Sequence, residues 1–252
     1  MSVAIIDRTG EVGTNNQGVE MRVIACRGRL DLDVEFNDGF IKRNVTYSNF
    51  KNGRIKNPYA ISVYGVGFLG EGPAIVSVNG KQSRQYSTWA MMIQRCYKRY
   101  PNSNNETYSE CYVCDEWHNF QEFAKWYNDN FYQVEREVMN LDKDIICKGN
   151  KMYCPEMCAF VPSRINLLLL KGNKKRGMLP IGVSMSRKTI MMQCCSVNGK
   201  NVSAAFETVD QAFHAYKKNK ERIIRSEANA YKGIIPSAVY NGLNNYEVNI
   251  ND

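Results

Sequence analysis

Residues 178–231, MLPIGVSMSRKTIMMQCCSVNGKNVSAAFETVDQAFHAYKKNKERIIRSEANAY, decide how the chain is read. Three strand-prone runs, 181–187, 189–197 and 200–206, follow one another almost without a gap. Asn198-Gly199 joins the last two, a dipeptide suited to the left-handed conformations of a tight hairpin. Thr208 is placed to cap a helix that continues to about Tyr231. Its apolar side is Ala212, Phe213, Tyr216, Ile223, Ile224 and Ala228. Its other side is Lys217, Lys218, Lys220, Arg222 and Arg225. The pattern predicts a three-stranded sheet backed by one helix.

Upstream, residues 171–177 (KGNKKRG) form a basic linker. Before it, 139–170 carry Leu141-Asp-Lys-Asp144, a Gly149-Asn150 turn, a strand-like run at 157–161, and a short helix opening near Pro162 and Ser163. This is a strand-turn-strand-helix order. Trp89, Met92, Ile93 and Cys96 recur at helical spacing, as do Phe120, Phe123, Ala124 and Tyr127 behind Asn119 as N-cap.

Residues 1–60 read as β. Runs at 21–26 and 32–36 are strand-like, and Asn37-Asp-Gly39 is a hairpin signal. Closely spaced strands with Gly-rich turns predict a small N-terminal β-barrel. The Gly-rich loop at 65–73 and Asn79-Gly80 read as a linker. The expected fold is α+β in parts: a small β domain at 1–80, a central region at 81–170, the basic linker at 171–177, and a sheet-plus-helix module at 178–252.

The formal net charge is +8, unevenly spread. Lys+Arg against Asp+Glu stand at 9 to 8 over 1–80, 11 to 11 over 81–170, and 13 to 6 over 171–252. Positive charge gathered in one third of a chain suits a polyanion. No apolar run approaches the roughly 18 residues of a spanning helix, and the start, MSVAIIDRTG, lacks the layout of a signal peptide. A soluble, cytoplasmic protein without a membrane partner is expected. Nine Cys in such a chain point to reduced thiols.

Two stretches carry a resemblance. Tyr86-Ser-Thr-Trp89, Arg95-Cys-Tyr97, Val113-Cys-Asp-Glu-Trp117, Asn119-Phe120, Leu141-Asp142, Tyr153-Cys-Pro-Glu156, Cys158 and Ile165-Asn166 resemble HNH-like proteins of phages and mobile elements that carry an AP2-like domain. Ile181-Gly-Val183, Asn198-Gly-Lys200, Phe206-Glu-Thr208, Ala212-Phe213 and Ala215-Tyr216 resemble the AP2-like domain itself. Residues 1–80 resemble N-terminal segments of the same phage proteins, with no activity attached.

The resemblance implies a central HNH-like ββα region with flanking helices, an AP2-like C-terminal module, double-stranded DNA as partner, and a bacterial host cell as setting. It implies one Mg²⁺ or Mn²⁺ ion where catalysis occurs, held by oxygen ligands that leave room for water. Asp142 falls on the first metal-ligand position, Asn166 on the helix position, and Asn150 where the family has a structural asparagine. The general-base position holds Lys143 instead of histidine. A lysine at its ordinary pKa, about 10.4, is protonated at neutral pH and cannot accept a proton. His118 is the other candidate to assist. Hydrolysis of a phosphodiester, of the homing-endonuclease type, and a dead site on a retained fold both stand open. So does a reading from another class: a non-catalytic phage regulator, or an inhibitor of a host defence protein.

For DNA contact the resemblance nominates Lys174, Lys175 and Arg176 in the linker, Arg187 and Lys188 in a strand connection, and Lys200 at a hairpin. The second strand departs from the family's alternating arginines with Ile190-Met-Met-Gln-Cys-Cys195. Salt-sensitive, phosphate-driven affinity follows, with weak direct readout unless Gln193 or Ser196 supplies it. The pairs Cys111/Cys114 and Cys154/Cys158 are spaced acceptably for structural zinc. They are read instead as buried thiols acting as small apolar side chains.

Overall fold

In the computed structural model, which describes residues 6–98, 110–170, 178–195 and 201–252, an alternating apolar pattern builds the first sheet. Strands β1 (Val12–Thr14), β2 (Glu20–Gly28), β3 (Asp31–Phe36) and β4 (Ile41–Val45) pair antiparallel in chain order. Met21 and Val23 of β2 are buried while Glu20 and Arg22 are exposed, the two-residue period of a half-covered strand. Gly39 takes a φ of +86° in the β3–β4 turn, and the Phe36 N–H donates to the Phe40 carbonyl across it.

The expected barrel does not form: the meander stays open, with β1 and β4 as its edges. Helix α1 (Tyr47–Lys51) supplies the reason. Its Phe50, with Ile55 beyond it, covers the apolar face made by Met21, Val23, Leu32, Val34 and Phe36. A sheet already covered on its apolar face has no need to close on itself.

The segment read as a linker contains a hairpin. β5 (Ser77–Val78) and β6 (Lys81–Gln82) pair around Asn79-Gly80, whose φ values are +49° and +75°. Ser83 then caps α2 (Arg84–Tyr97), which buries Trp89, Met92 and Ile93. After β7 (Tyr112–Val113) and a 3-10 turn at Asp115–His118 comes α3 (Phe120–Asn130). Asn119 Oδ1 accepts from the Gln121 N–H at 3.0 Å, the capping role read for it. The Trp89 indole N–H donates to the Trp117 carbonyl at 2.7 Å, and the Trp89 and Phe120 rings lie 5.5 Å apart.

The chain divides into two compact units, 1–127 and 128–252. The second holds β8 (Met139–Asp142), β9 (Met152–Tyr153), β10 (Ala159–Pro162) and α4 (Ser163–Leu168). Strands β8 and β10 pair antiparallel, with Asp142 opposite Ala159, and α4 packs on both. A three-stranded antiparallel sheet follows, β11 (Val183–Ser186), β12 (Thr189–Cys195) and β13 (Asn201–Phe206), with β12 central. Then come α5 (Val209–Ala230) and α6 (Ser237–Asn244). Thr208 and Gln211 cap α5 reciprocally.

Helix α5 is 22 residues long, about 33 Å at 1.5 Å per residue. That length gives it two cores. Ala212, Phe213 and Tyr216 pack with Ile181, Val183, Met192 and Cys194 of the sheet. Ile224, Ala228 and Tyr231 pack with Ile145, Val161 and Ile165 of the ββα finger and with Val239 and Leu243 of α6. Among the described residues no helix is long and apolar enough to cross a membrane.

Gly182 shows how closely α5 sits on the sheet. Its φ is +76°, and a Cβ there would fall on the Tyr216 ring. Gly182→Ala is expected to lower stability by about 2 kcal/mol or more, from backbone strain plus overpacking. Gly149, also left-handed at +84° but with open space around it, is the control, and Gly149→Ala should cost about 1 kcal/mol. Urea unfolding followed by far-ultraviolet circular dichroism separates the two.

Candidate finger site and nucleic-acid interface

Strand β8 ends at Asp142, and the chain turns at once. Asp142 Oδ1 accepts from the Asp144 and Ile145 N–H groups at 2.7 and 2.8 Å, so the carboxylate caps the turn it begins. Lys143 is buried, and its Nζ donates to Asp144 Oδ1 at 2.7 Å and to the Asn150 carbonyl at 2.8 Å. Asn150 closes the loop. Its Nδ2 donates to the Lys143 and Met152 carbonyls at 2.9 and 2.7 Å, and its Oδ1 accepts from the Met152 N–H at 3.1 Å. Asp142, Lys143 and Asn150 are thus brought together as one self-satisfied turn.

Burial pushes the Asp142 carboxyl above its ordinary value, helped by nearby Asp144, against the pull of the two backbone donors and Lys143. Asn166 lies on α4, half-buried, and among the described residues its side chain makes no hydrogen bond. Among the described residues no hydrogen bond joins Asn166 to Asp142, and no group of three His, Cys, Asp or Glu side chains is placed to hold a metal ion. At the base position Lys143 Nζ is engaged by a carboxylate and a carbonyl. His118 belongs to the first unit. Its Nε2 lies 3.3 Å from the Tyr97 hydroxyl, which in turn accepts from the Val113 N–H at 3.1 Å. Its Nδ1 lies 3.8 Å from Asp115 Oδ1.

The nominated cations divide. Lys174, Lys175, Arg176 and Lys200 lie outside the described residues. Arg187 and Lys188 form the β11–β12 turn, both exposed, with φ values of +46° and +70°. Neither has an ion pair among the described residues. From this tip the sheet presents one face to α5 through Val183, Met192 and Cys194. The strand register sets Ser184, Met191 and Ala205 side by side on the opposite face, with Gln193 beside Ser203.

The basic side of α5 is less open than its sequence suggests. Lys217 and Arg225 both reach Glu221, at 2.8 and 3.4 Å, one helical turn to either side of it. Glu221 Oε1 also accepts from the Val248 N–H at 2.9 Å, while Lys217 Nζ donates to the Val248 carbonyl. Lys148, in the finger loop, donates to the Glu247 carbonyl and pairs with Asp252, both at 2.6 Å. The last residues therefore strap the finger loop to α5, an arrangement missed in the sequence together with α6. Helix α6 is betrayed only by Val239 and Leu243 at i, i+4 behind Pro236. A cavity of about 460 Å³ lies between the finger loop and α6, lined by Ile145, Lys148, Gly242 and Tyr246 among others. Burial, with Asp252, Asp144 and Asp142 nearby, pushes the Tyr246 hydroxyl up to about 12. The thiols of Cys111, Cys154, Cys158 and Cys194 are buried.

Compared with known proteins, the chain matches no protein-family model, no curated protein and no solved structure.

Two outcomes test this geometry. Asp142→Ala leaves two backbone donors without their acceptor and is expected to cost about 1–3 kcal/mol. Asp142→Asn keeps an acceptor oxygen in place and should stay within about 1 kcal/mol of the parent, as read by thermal and urea unfolding. For Glu221, burial pushes the carboxyl up, but the Lys217 hydrogen bond, the Val248 N–H and the charges of Lys217 and Arg225 outweigh it, and the net displacement is downward. A carboxyl lower in the folded state stabilises above its ordinary value, 4.5, and loses that contribution as the pH falls below it. The melting-temperature gap between parent and Glu221→Gln should be largest near neutral pH and shrink below pH 4.5.

Proposed function

We propose that the chain binds duplex DNA through the three-stranded sheet of its second unit, with the finger serving as scaffold rather than nuclease. The observation that carries the reading is the tip Arg187-Lys188. A two-residue turn with both φ values positive is best served by Asn-Gly. Arginine and lysine there cost backbone strain of about 1 kcal/mol each. Strain retained at an exposed tip, on two cations with no ion pair among the described residues, points to an anionic partner. The surplus of Lys+Arg over Asp+Glu in 171–252, 13 against 6, supports the same partner.

The motifs resemble those of phage HNH endonucleases of the homing type, and Mg²⁺ or Mn²⁺ would there polarise the attacking water. In this chain the base position is an ammonium locked into the turn. Binding is therefore favoured over hydrolysis.

The double variant Arg187→Asn/Lys188→Gly separates strain from contact. It is expected to raise stability by about 0.5–1 kcal/mol, to weaken duplex binding, and to lower the slope of log affinity against log salt by about 2. Affinity unchanged in the variant, or salt-independent in the parent, overturns the reading and leaves a protein partner as the class to pursue. Plasmid incubated with Mg²⁺ or Mn²⁺ should stay intact with parent and Asp142→Asn alike. Nicking by the parent that the variant loses would restore the nuclease.

A further inference from the structure

The sheet face turned away from α5 carries no Lys or Arg among the described residues. The register places Ser184, Met191 and Ala205 in one row, and Gln193 with Ser203 in the next. Gln193, Ser203 and Ala205 are exposed. Gln193 stands on the central strand; its backbone N–H is taken by the Gly182 carbonyl at 2.8 Å, and its carboxamide makes no hydrogen bond among the described residues. Its small neighbours leave that carboxamide free to approach a partner.

Building on the proposed DNA reading, we infer that Gln193 and Met191 make this face a reader of A·T pairs. The width fits: two inter-strand spacings of about 4.8 Å give a face about 10 Å across, within a major groove about 12 Å wide. The chemistry then chooses the base. A carboxamide sets a donor NH2 beside an acceptor oxygen, the complement of adenine N7 and N6, whereas guanine's two acceptors call for the paired donors of arginine. Met191 supplies apolar contact for a thymine methyl. The two side chains stand two residues apart on one strand, about 6.7 Å. That is about two base-pair steps of 3.4 Å. The expected target has two A·T pairs with one base pair between them, flanked by phosphates within reach of Arg187 and Lys188.

Selection from a randomised DNA duplex pool by the full chain tests this, followed by anisotropy titrations. Enrichment of A·T at two positions two base pairs apart is expected. Gln193→Ala, a surface change that leaves the fold intact, should erase the preference at one of them, a loss on the order of tenfold. Its salt slope should match the parent's, because a neutral carboxamide releases no counterion. Gln193→Arg should move that position toward G·C. Duplex binding with no base preference, a preference that survives Gln193→Ala, or equal binding of duplex RNA, whose major groove is too narrow for side chains to read, overturns the inference while the DNA reading stands. No duplex binding at all overturns both.

Discussion

Helix α5 is the constraint on which the second unit depends, because one rod of 22 residues serves two cores. Its first half, through Phe213 and Tyr216, is the floor of the three-stranded sheet. Its second half, through Ile224 and Ala228, both fully buried, is the floor of the finger. Arg164 of the finger helix adds an ion pair to the largely buried Glu227, Nε to Oε1 at 2.6 Å. With the Arg164 side chain 42% exposed, the pair adds only modestly to net stability. The burial of apolar area at both ends supplies the energy, and a continuous helix transmits rigidity between them.

The same helix explains how the charge of the C-terminal third is spent. A count of lysines and arginines describes a polyanion-binding face only if those side chains are free. Glu221 takes Lys217 from one side and Arg225 from the other, then holds the Val248 N–H. Lys148 of the finger loop is taken by Asp252. These three cations are structural, which leaves exposed Lys218 and Arg222 on α5 and Arg187 and Lys188 at the sheet tip. Pairs at i, i+4 on a solvated helix contribute only about 0.3–0.5 kcal/mol each. Here the central carboxylate is mostly buried and also fixes a backbone segment, so the network earns a larger share of the stability than its count suggests.

Much of the fold was legible because it follows from local rules. Thr208 before a 3.6-residue apolar period announced α5, Asn119 announced α3, and Asn37-Asp-Gly39 announced the β3–β4 turn. What escaped depends on contacts distant in sequence. The open meander rests on Phe50 reaching a face built some 15–30 residues earlier. The β5–β6 hairpin has only two residues in each strand, too few for a period to show. Helix α6 contains Gly242, which reads as a breaker in the sequence. In the fold a Cβ there would strike the Ile145 carbonyl, so glycine is the residue that lets helix and loop meet. At the candidate site, Lys143 was recognisable as an improbable base from its type alone. Its burial against Asp144 and the Asn150 carbonyl was not.

The finger has a physical reason to persist whatever its chemistry. Its strands and helix supply Ala159, Val161 and Ile165 to the core that α5 and α6 share. Removing the finger would expose Ile224 and Ala228, both now at 0%, together with the inner face of α6. Burying such side chains is worth about 25 cal/mol per Å² of apolar surface, so the finger is held by packing whatever happens at its turn. Under that constraint the turn has only to satisfy its own polar groups. Asp142, Lys143, Asp144 and Asn150 do so with carboxylate, ammonium and carboxamide bonded to one another or to backbone. Histidine at 143 would keep a lone pair for chemistry but could not span both Asp144 and the Asn150 carbonyl as the longer ammonium does. Lys143 is thus the residue whose length closes the turn.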